Sequence, residues 1–154
     1  RLIRQLDEKH QLTLLCRDVS EIATYATVDN QQFKLLKAST PAPITFILDA
    51  TKDVPKKLSQ PKKKTIGIRV PSNPIAQMLL EAMGEPILTS SLILPSTPLA
   101  LDDPFDIEDK LGNNIDVMIN AGVLTTKLTT IVDMTVFPPQ LVRQGAGDAS
   151  QILE

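Results

Sequence analysis

Apolar residues in this chain come in short runs, each closed by proline, glycine or charge, and the runs switch between strand-like and helix-like spacing. Leu12-Thr13-Leu14-Leu15-Cys16 is apolar around a β-prone threonine and reads as a strand. Asp18 and Ser20 suit the start of a short helix that runs through Tyr25. A second helix fits residues 30–38, with Phe33, Leu36 and Lys37 at helical spacing and Pro41 beyond its end. Ile44-Thr45-Phe46-Ile47-Leu48, introduced by Pro41-Ala42-Pro43, is a run of strong strand formers. Thr65-Ile66-Gly67-Ile68-Arg69-Val70 is another, again closed by proline.

The clearest helix follows. Ser72 or Asn73 can cap it, and Pro74 suits its first position. Ile75, Met78, Leu79, Ala82 and Met83 recur on one apolar face, and Gly84 is the expected left-handed stop. Pro86-Ile87-Leu88 reads as strand, and Asp103 caps a short helix through Leu111. Residues 115–119, residues 129–134 and Leu141-Val142 complete the strand candidates. Strands alternate with helices early and crowd together late, which predicts an α/β fold on a mixed sheet.

Length and composition fit one domain over residues 1–154, with enough apolar residues (42%) to bury a core. The chain opens without methionine at Arg1-Leu2-Ile3-Arg4, so an upstream segment is expected to be missing. No apolar run is long enough to span a bilayer, and a cytoplasmic protein is expected. One cysteine, Cys16, and one histidine, His10, exclude an internal disulfide and a histidine-rich metal site. The formal charge is only −2, but it is unevenly spread. Lys52, Lys56, Lys57, Lys62, Lys63, Lys64 and Arg69, against Asp53 alone, give residues 52–69 a net +6 and leave −8 for the rest.

That lysine-rich loop is either solvated surface or a rim for the phosphates of a nucleotide or RNA. It has no interleaved aromatics to stack bases, so RNA contact would be led by the backbone and fall with salt. Thr89-Ser90-Ser91 follows a strand, where α/β sheets place ligand contacts, although such hydroxyls also form turns. Gly145-Ala146-Gly147 lacks the full glycine fingerprint and is weak as a phosphate loop. Cys16 reads as an inert core residue, His10 as a loop residue. Asp102-Asp103 and Glu108-Asp109 read as helix-start charges.

One resemblance sharpens this reading. Residues 64–76, Lys-Thr-Ile-Gly-Ile-Arg-Val-Pro-Ser-Asn-Pro-Ile-Ala, and residues 84–91, Gly-Glu-Pro-Ile-Leu-Thr-Ser-Ser, resemble the YrdC/YciO family, and within it the YciO branch. Residues 41–48, residues 129–135 and Val142-Arg143-Gln144-Gly145 add to the likeness in the family's order. The resemblance implies a twisted, open, mixed α/β sheet with a concave basic face. It also implies threonylcarbamoyl-AMP synthesis from L-threonine, bicarbonate and ATP. ATP would arrive as a substrate with Mg2+, and no protein-bound metal site is expected. The product would serve tRNA threonylcarbamoyladenosine modification.

By the same resemblance, Thr65, Thr89, Ser91, Arg143 and Arg4 would contact ATP, while Arg69 and Thr129 would hold L-threonine. Arg69 interrupts an apolar strand, which points it at a carboxylate in a cleft. The pattern departs from the family twice. Ser91-Leu92-Ile93 stands where the synthases carry Ser-x-Asn, and Leu2 stands where a lysine belongs. The alternative reading is a double-stranded RNA or tRNA binder that uses the same cleft and the loop lysines.

Overall fold

A computed structural model describes residues 3–5, 12–55, 58, 64–95, 97–124 and 127–153. The chain divides into two compact units, Lys9–Ser90 with Leu128–Glu154, and Arg1–Glu8 with Ser91–Lys127. His10, Leu2, Lys56, Lys57, Lys62 and Lys63 lie outside the described residues.

The larger unit holds a twisted, open, mixed sheet of seven strands among the described residues, as the strand pattern predicts. These are β1 (Thr13–Leu15), β2 (Ala26–Thr27), β3 (Ile44–Ala50), β4 (Thr65–Arg69), β5 (Ile87–Thr89), β6 (Thr130–Asp133) and β7 (Gln140–Arg143). Their order is β5-β1-β4-β3-β6-β7, with β2 paired to the end of β3. β1 runs parallel to β4 and β3 parallel to β6, and the other pairs are antiparallel.

Helices α1 (Val19–Tyr25), α2 (Asn30–Ser39), α3 (Pro74–Met83) and α5 (Ser150–Leu153) belong to this unit. Asp18 caps α1 by accepting from the Glu21 amide. Asp29 caps α2 in a reciprocal box with Gln32 that the pattern reading missed. α3 begins where Asn73 and Pro74 place it and ends at Gly84, whose φ of +69° is the left-handed conformation that favours glycine.

Period-two alternation decides the core. Phe46 and Leu48 of β3, Ile66 and Ile68 of β4 and Val132 of β6 are fully buried, in one cluster with Ile22, Leu36 and Ile152 from α1, α2 and α5. Truncating Phe46 to alanine there would cost ~3–5 kcal/mol. The intervening residues of β3 and β4 necessarily face the other side of the sheet.

The smaller unit contains α4 (Pro104–Leu111), capped by Asp103 as predicted, and a turn of 3-10 helix, Gly112–Asn114. An isolated bridge joins Ile93 to Ala100, and the Leu124 amide donates to the Asp102 carbonyl.

Two expectations are corrected. Residues 115–119 form no strand: they have no pairing partner, and Val117 and Ile119 stand exposed. Glu108 and Asp109 lie in the second half of α4 rather than at its start. The α3 stripe Ile75, Met78, Leu79 and Met83 is exposed, and Leu80 is the residue α3 buries. Helical periodicity marks an apolar face without saying what covers it. No helix among the described residues is long and apolar enough to cross a membrane.

Candidate functional site

The sheet face opposite the core carries most of the candidate residues. Strand register aligns Thr89, Thr13, Gly67, Ile47 and Asp133 in one row across five strands. The next row holds Ile87, Leu15 and Arg69 on one side, and Thr45, Ile131 and Arg143 on the other. Thr45 and Arg69 each stand one residue beyond the Phe46–Ile68 pair, so the antiparallel register sets them opposite each other. Three strand spacings then separate Arg69 from Arg143, about 14 Å between their Cα atoms.

Arg69 ends β4 and is partly buried. Its Nε is buried without a hydrogen-bond partner, the one such side-chain atom among the described residues. Desolvation pushes the guanidinium pKa below its ordinary value. The carboxylate expected for Arg69 is therefore not supplied by the described protein groups. A buried charged donor without a partner is costly, and an anionic ligand would relieve that cost.

Arg143 ends β7 and donates from Nε at 3.1 Å and from Nη2 at 2.7 Å to the Thr129 carbonyl. Thr129 precedes β6, and its hydroxyl shares a 3.0 Å hydrogen bond with that of Thr45. Nη2 of Arg143 also approaches Thr129 Oγ1 at 3.4 Å. Thr89 donates its hydroxyl to the Thr13 carbonyl across the β1–β5 pair. Thr65 opens β4 and is buried.

The structure thus assembles Arg69, Thr129, Arg143, Thr65 and Thr89 on one face of one unit. Ser91 and Arg4 belong to the other unit, where Ser91 is exposed and Arg4 Nε donates to the Ile93 carbonyl at 3.2 Å. Of the loop lysines, Lys52 and Lys64 fall within the described residues, and both are exposed.

The glycine turn has a packing role. A Cβ on Gly145 would run into the Leu128 carbonyl and the Thr129 backbone, and one on Gly147 into Ile44 and the Pro43 carbonyl. Buried Thr130 ties this turn down, donating to the Gly147 carbonyl at 2.6 Å and accepting from the Gly145 amide at 2.9 Å. Those contacts hold the backbone beside Thr129 and Arg143. A separate cavity of about 370 Å3 is lined by Arg17, Val19, Phe33, Lys37, Val70 and Gln77, and none of the predicted site residues lines it.

The pattern reading missed Thr45 and Gly67. The available signal was their position between buried residues, Thr45 between Ile44 and Phe46 and Gly67 between Ile66 and Ile68, which at period two turns them to the opposite face.

The Sua5_yciO_yrdC family model, described as telomere recombination, matches residues 1–145. The chain belongs to the Sua5/YciO/YrdC family. "Uncharacterized protein YciO" of Escherichia coli K12 is 52% identical over 151 residues, covering 98% of this chain and 73% of that one. The E. coli YciO crystal structure matches with a TM-score of 0.92, over 99% of this chain and 74% of that one. Threonylcarbamoyl-AMP synthase of Pyrococcus abyssi is 28% identical over 145 residues, 94% of this chain and 39% of that one. P. abyssi Sua5, solved in complex with L-threonine, shares the fold at a TM-score of 0.84 with 22% identity, over 94% of this chain and 42% of that one. Homology to the synthases is thus distant, and the stronger similarity is to YciO. Within this fold, Arg69 and Arg143 lie on the sheet face opposite the core, with Thr129 beside Arg143.

Proposed function

We propose that this protein is a nucleotidyltransferase of the threonylcarbamoyl-AMP synthase type, acting on L-threonine, bicarbonate and ATP in support of tRNA threonylcarbamoyladenosine modification. The observation that carries this reading is the buried, unpartnered Nε of Arg69 on the same sheet face as Arg143. Two guanidiniums about 14 Å apart suit two anionic substrates, an amino-acid carboxylate at Arg69 and nucleotide phosphates at Arg143.

The chemistry asks for positioning rather than a side-chain nucleophile. The amino nitrogen of L-threonine and bicarbonate give a carbamate with loss of water. A carbamate oxygen then bonds to the α-phosphorus as the bond to pyrophosphate breaks. Arg69 would orient the amino acid, Thr129 would donate its hydroxyl beside it, and Arg143 would offset charge building on the phosphate oxygens. Among the described residues no three carboxylate, imidazole or thiol groups converge. ATP would bring its magnesium ion with it as part of the substrate.

Calorimetric titration of the intact protein with ATP, with and without L-threonine and bicarbonate, tests the proposal together with a pyrophosphate assay. ATP binding tightened by L-threonine, with pyrophosphate released only when all three substrates are present, is the expected result. No heat from either ligand in the wild type or in Ile93→Asn would overturn it and turn attention to RNA. An RNA complex would then reveal itself by affinity that falls steeply with salt.

A further inference from the structure

We infer that Thr45 is a positioning residue for the amino-acid substrate, acting through the hydroxyl of Thr129; the inference rests on the synthase-type reading above. Three observations converge on it. Thr45 is only 6% exposed, and its hydroxyl lies 3.0 Å from that of Thr129. The register sets it opposite Arg69. Its γ-methyl lies against Gly67, where an added Cβ would sit 3.4 Å away, so the sheet face between Thr45 and Thr13 is kept low.

Proton accounting supplies the mechanism. A guanidinium only donates, so Thr129 Oγ1 accepts from Arg143 Nη2 at 3.4 Å. A hydroxyl has one proton and two lone pairs. If Thr45 also donates to Thr129, both lone pairs are used and the Thr129 proton is left for a ligand acceptor. If the bond runs the other way, Thr129 spends its proton on Thr45. Thr45 has no other side-chain hydrogen bond among the described residues, so no protein group fixes the direction. A substrate carboxylate that is seated on Arg69 and accepts a hydrogen bond from the Thr129 hydroxyl holds the pair in the first arrangement, with Thr45 donating to Thr129. The chain Thr45 to Thr129 to ligand also polarises each bond in turn. Thr45 therefore holds Thr129 as a donor toward the amino acid, two residues whose neighbourhood is created by the parallel β3–β6 pairing.

The test is L-threonine titration with ATP present, on wild type, Thr45→Val, Thr45→Ser, Thr129→Val and the double variant. Valine keeps the shape and removes the hydroxyl. Thr45→Val is expected to weaken L-threonine about 3- to 10-fold, the worth of one neutral hydrogen bond, and leave ATP affinity within about 2-fold. Thr45→Ser restores L-threonine binding. In the Thr129→Val background, Thr45→Val has no further effect, because its path of action is gone. Should Thr45→Val fail to fold, Thr45→Cys, a weak donor of similar size, takes its place in the cycle. Unchanged L-threonine affinity, additive losses in the cycle, or a parallel fall in ATP affinity and thermal stability overturns the inference while the synthase-type reading stands. A wild type that binds neither ATP nor L-threonine overturns both.

Discussion

Arg143 grips the Thr129 carbonyl twice, its Nε and Nη2 donating to the same oxygen at 3.1 and 2.7 Å. β7 is an edge strand, and Leu141 and Val142 beside Arg143 are exposed. The fork on Thr129, more than packing around β7, therefore sets the direction of the guanidinium.

Arg143→Lys keeps the charge and loses the fork. ATP affinity is expected to fall about 10- to 100-fold, since hydrogen bonds to charged groups are worth ~1.5–3 kcal/mol. The melting temperature should drop by only a few degrees. Calorimetry beside thermal melts reads both, and an unchanged ATP affinity would remove Arg143 from the nucleotide site.

For Arg69 the two readouts should move apart. Its guanidinium is partly buried with Nε unpaired, and desolvation lowers its pKa. For a base, a folded pKa below the unfolded one means that folding disfavours the charge at every pH below the folded value. Arg69→Met should leave stability unchanged or raise it, while L-threonine binding disappears. Because arginine titrates far above neutrality, the stability difference should be flat between about pH 6 and about pH 9. A marked loss of stability in Arg69→Met would mean that a protein group already satisfies the guanidinium.

Thr130 and Gly145 test the scaffold behind the site. Thr130→Val leaves the buried Gly147 carbonyl and Gly145 amide without their hydroxyl partner, a loss of ~1–3 kcal/mol in urea unfolding. Gly145→Ala forces a methyl against the Leu128 carbonyl and Thr129 backbone and should cost ~1–3 kcal/mol. In Gly145→Ala the displaced Thr129 should also weaken both substrates. If the variant folds normally and binds both as wild type, the turn does not brace the site.

Cys16 should be silent to thiol reagents in the folded protein. It is fully buried, and burial, then the nearby Glu21 and Asp18 charges, push its pKa from 9.0 to about 12. A raised folded pKa stabilises the protein below the unfolded value. That contribution is lost as pH climbs from about 9 toward 12, because only the unfolded chain ionises readily. Labelling with a chromogenic disulfide at about pH 8 should follow global unfolding, and rapid labelling under native conditions would contradict the burial.

Much of the fold was legible because its signals are local. Asp18, Asp103 and Asn73 cap their helices through their own side chains, and Pro74 and Gly84 bracket α3 by backbone preference alone. Residues 115–119 were misread because a strand needs a partner as well as β-prone residues, and none pairs there. The two-residue β2 and the short α5 carry too few positions for a period to show. At the site, Arg69 was readable as a charge breaking an apolar strand. Thr45 was not, because a threonine in a strand is unremarkable until its partner is known.

Sequence alone determined which side chains of each strand share a face, since the pleat alternates residue by residue: Ile44, Phe46 and Leu48 one way, Thr45 and Ile47 the other. Tertiary structure decided what those faces meet. Thr45 and Thr129 are 84 residues apart, and their hydroxyls touch only because β3 and β6 pair in parallel. Such pairing is chosen by burial of the whole core, to which no short stretch of sequence has access.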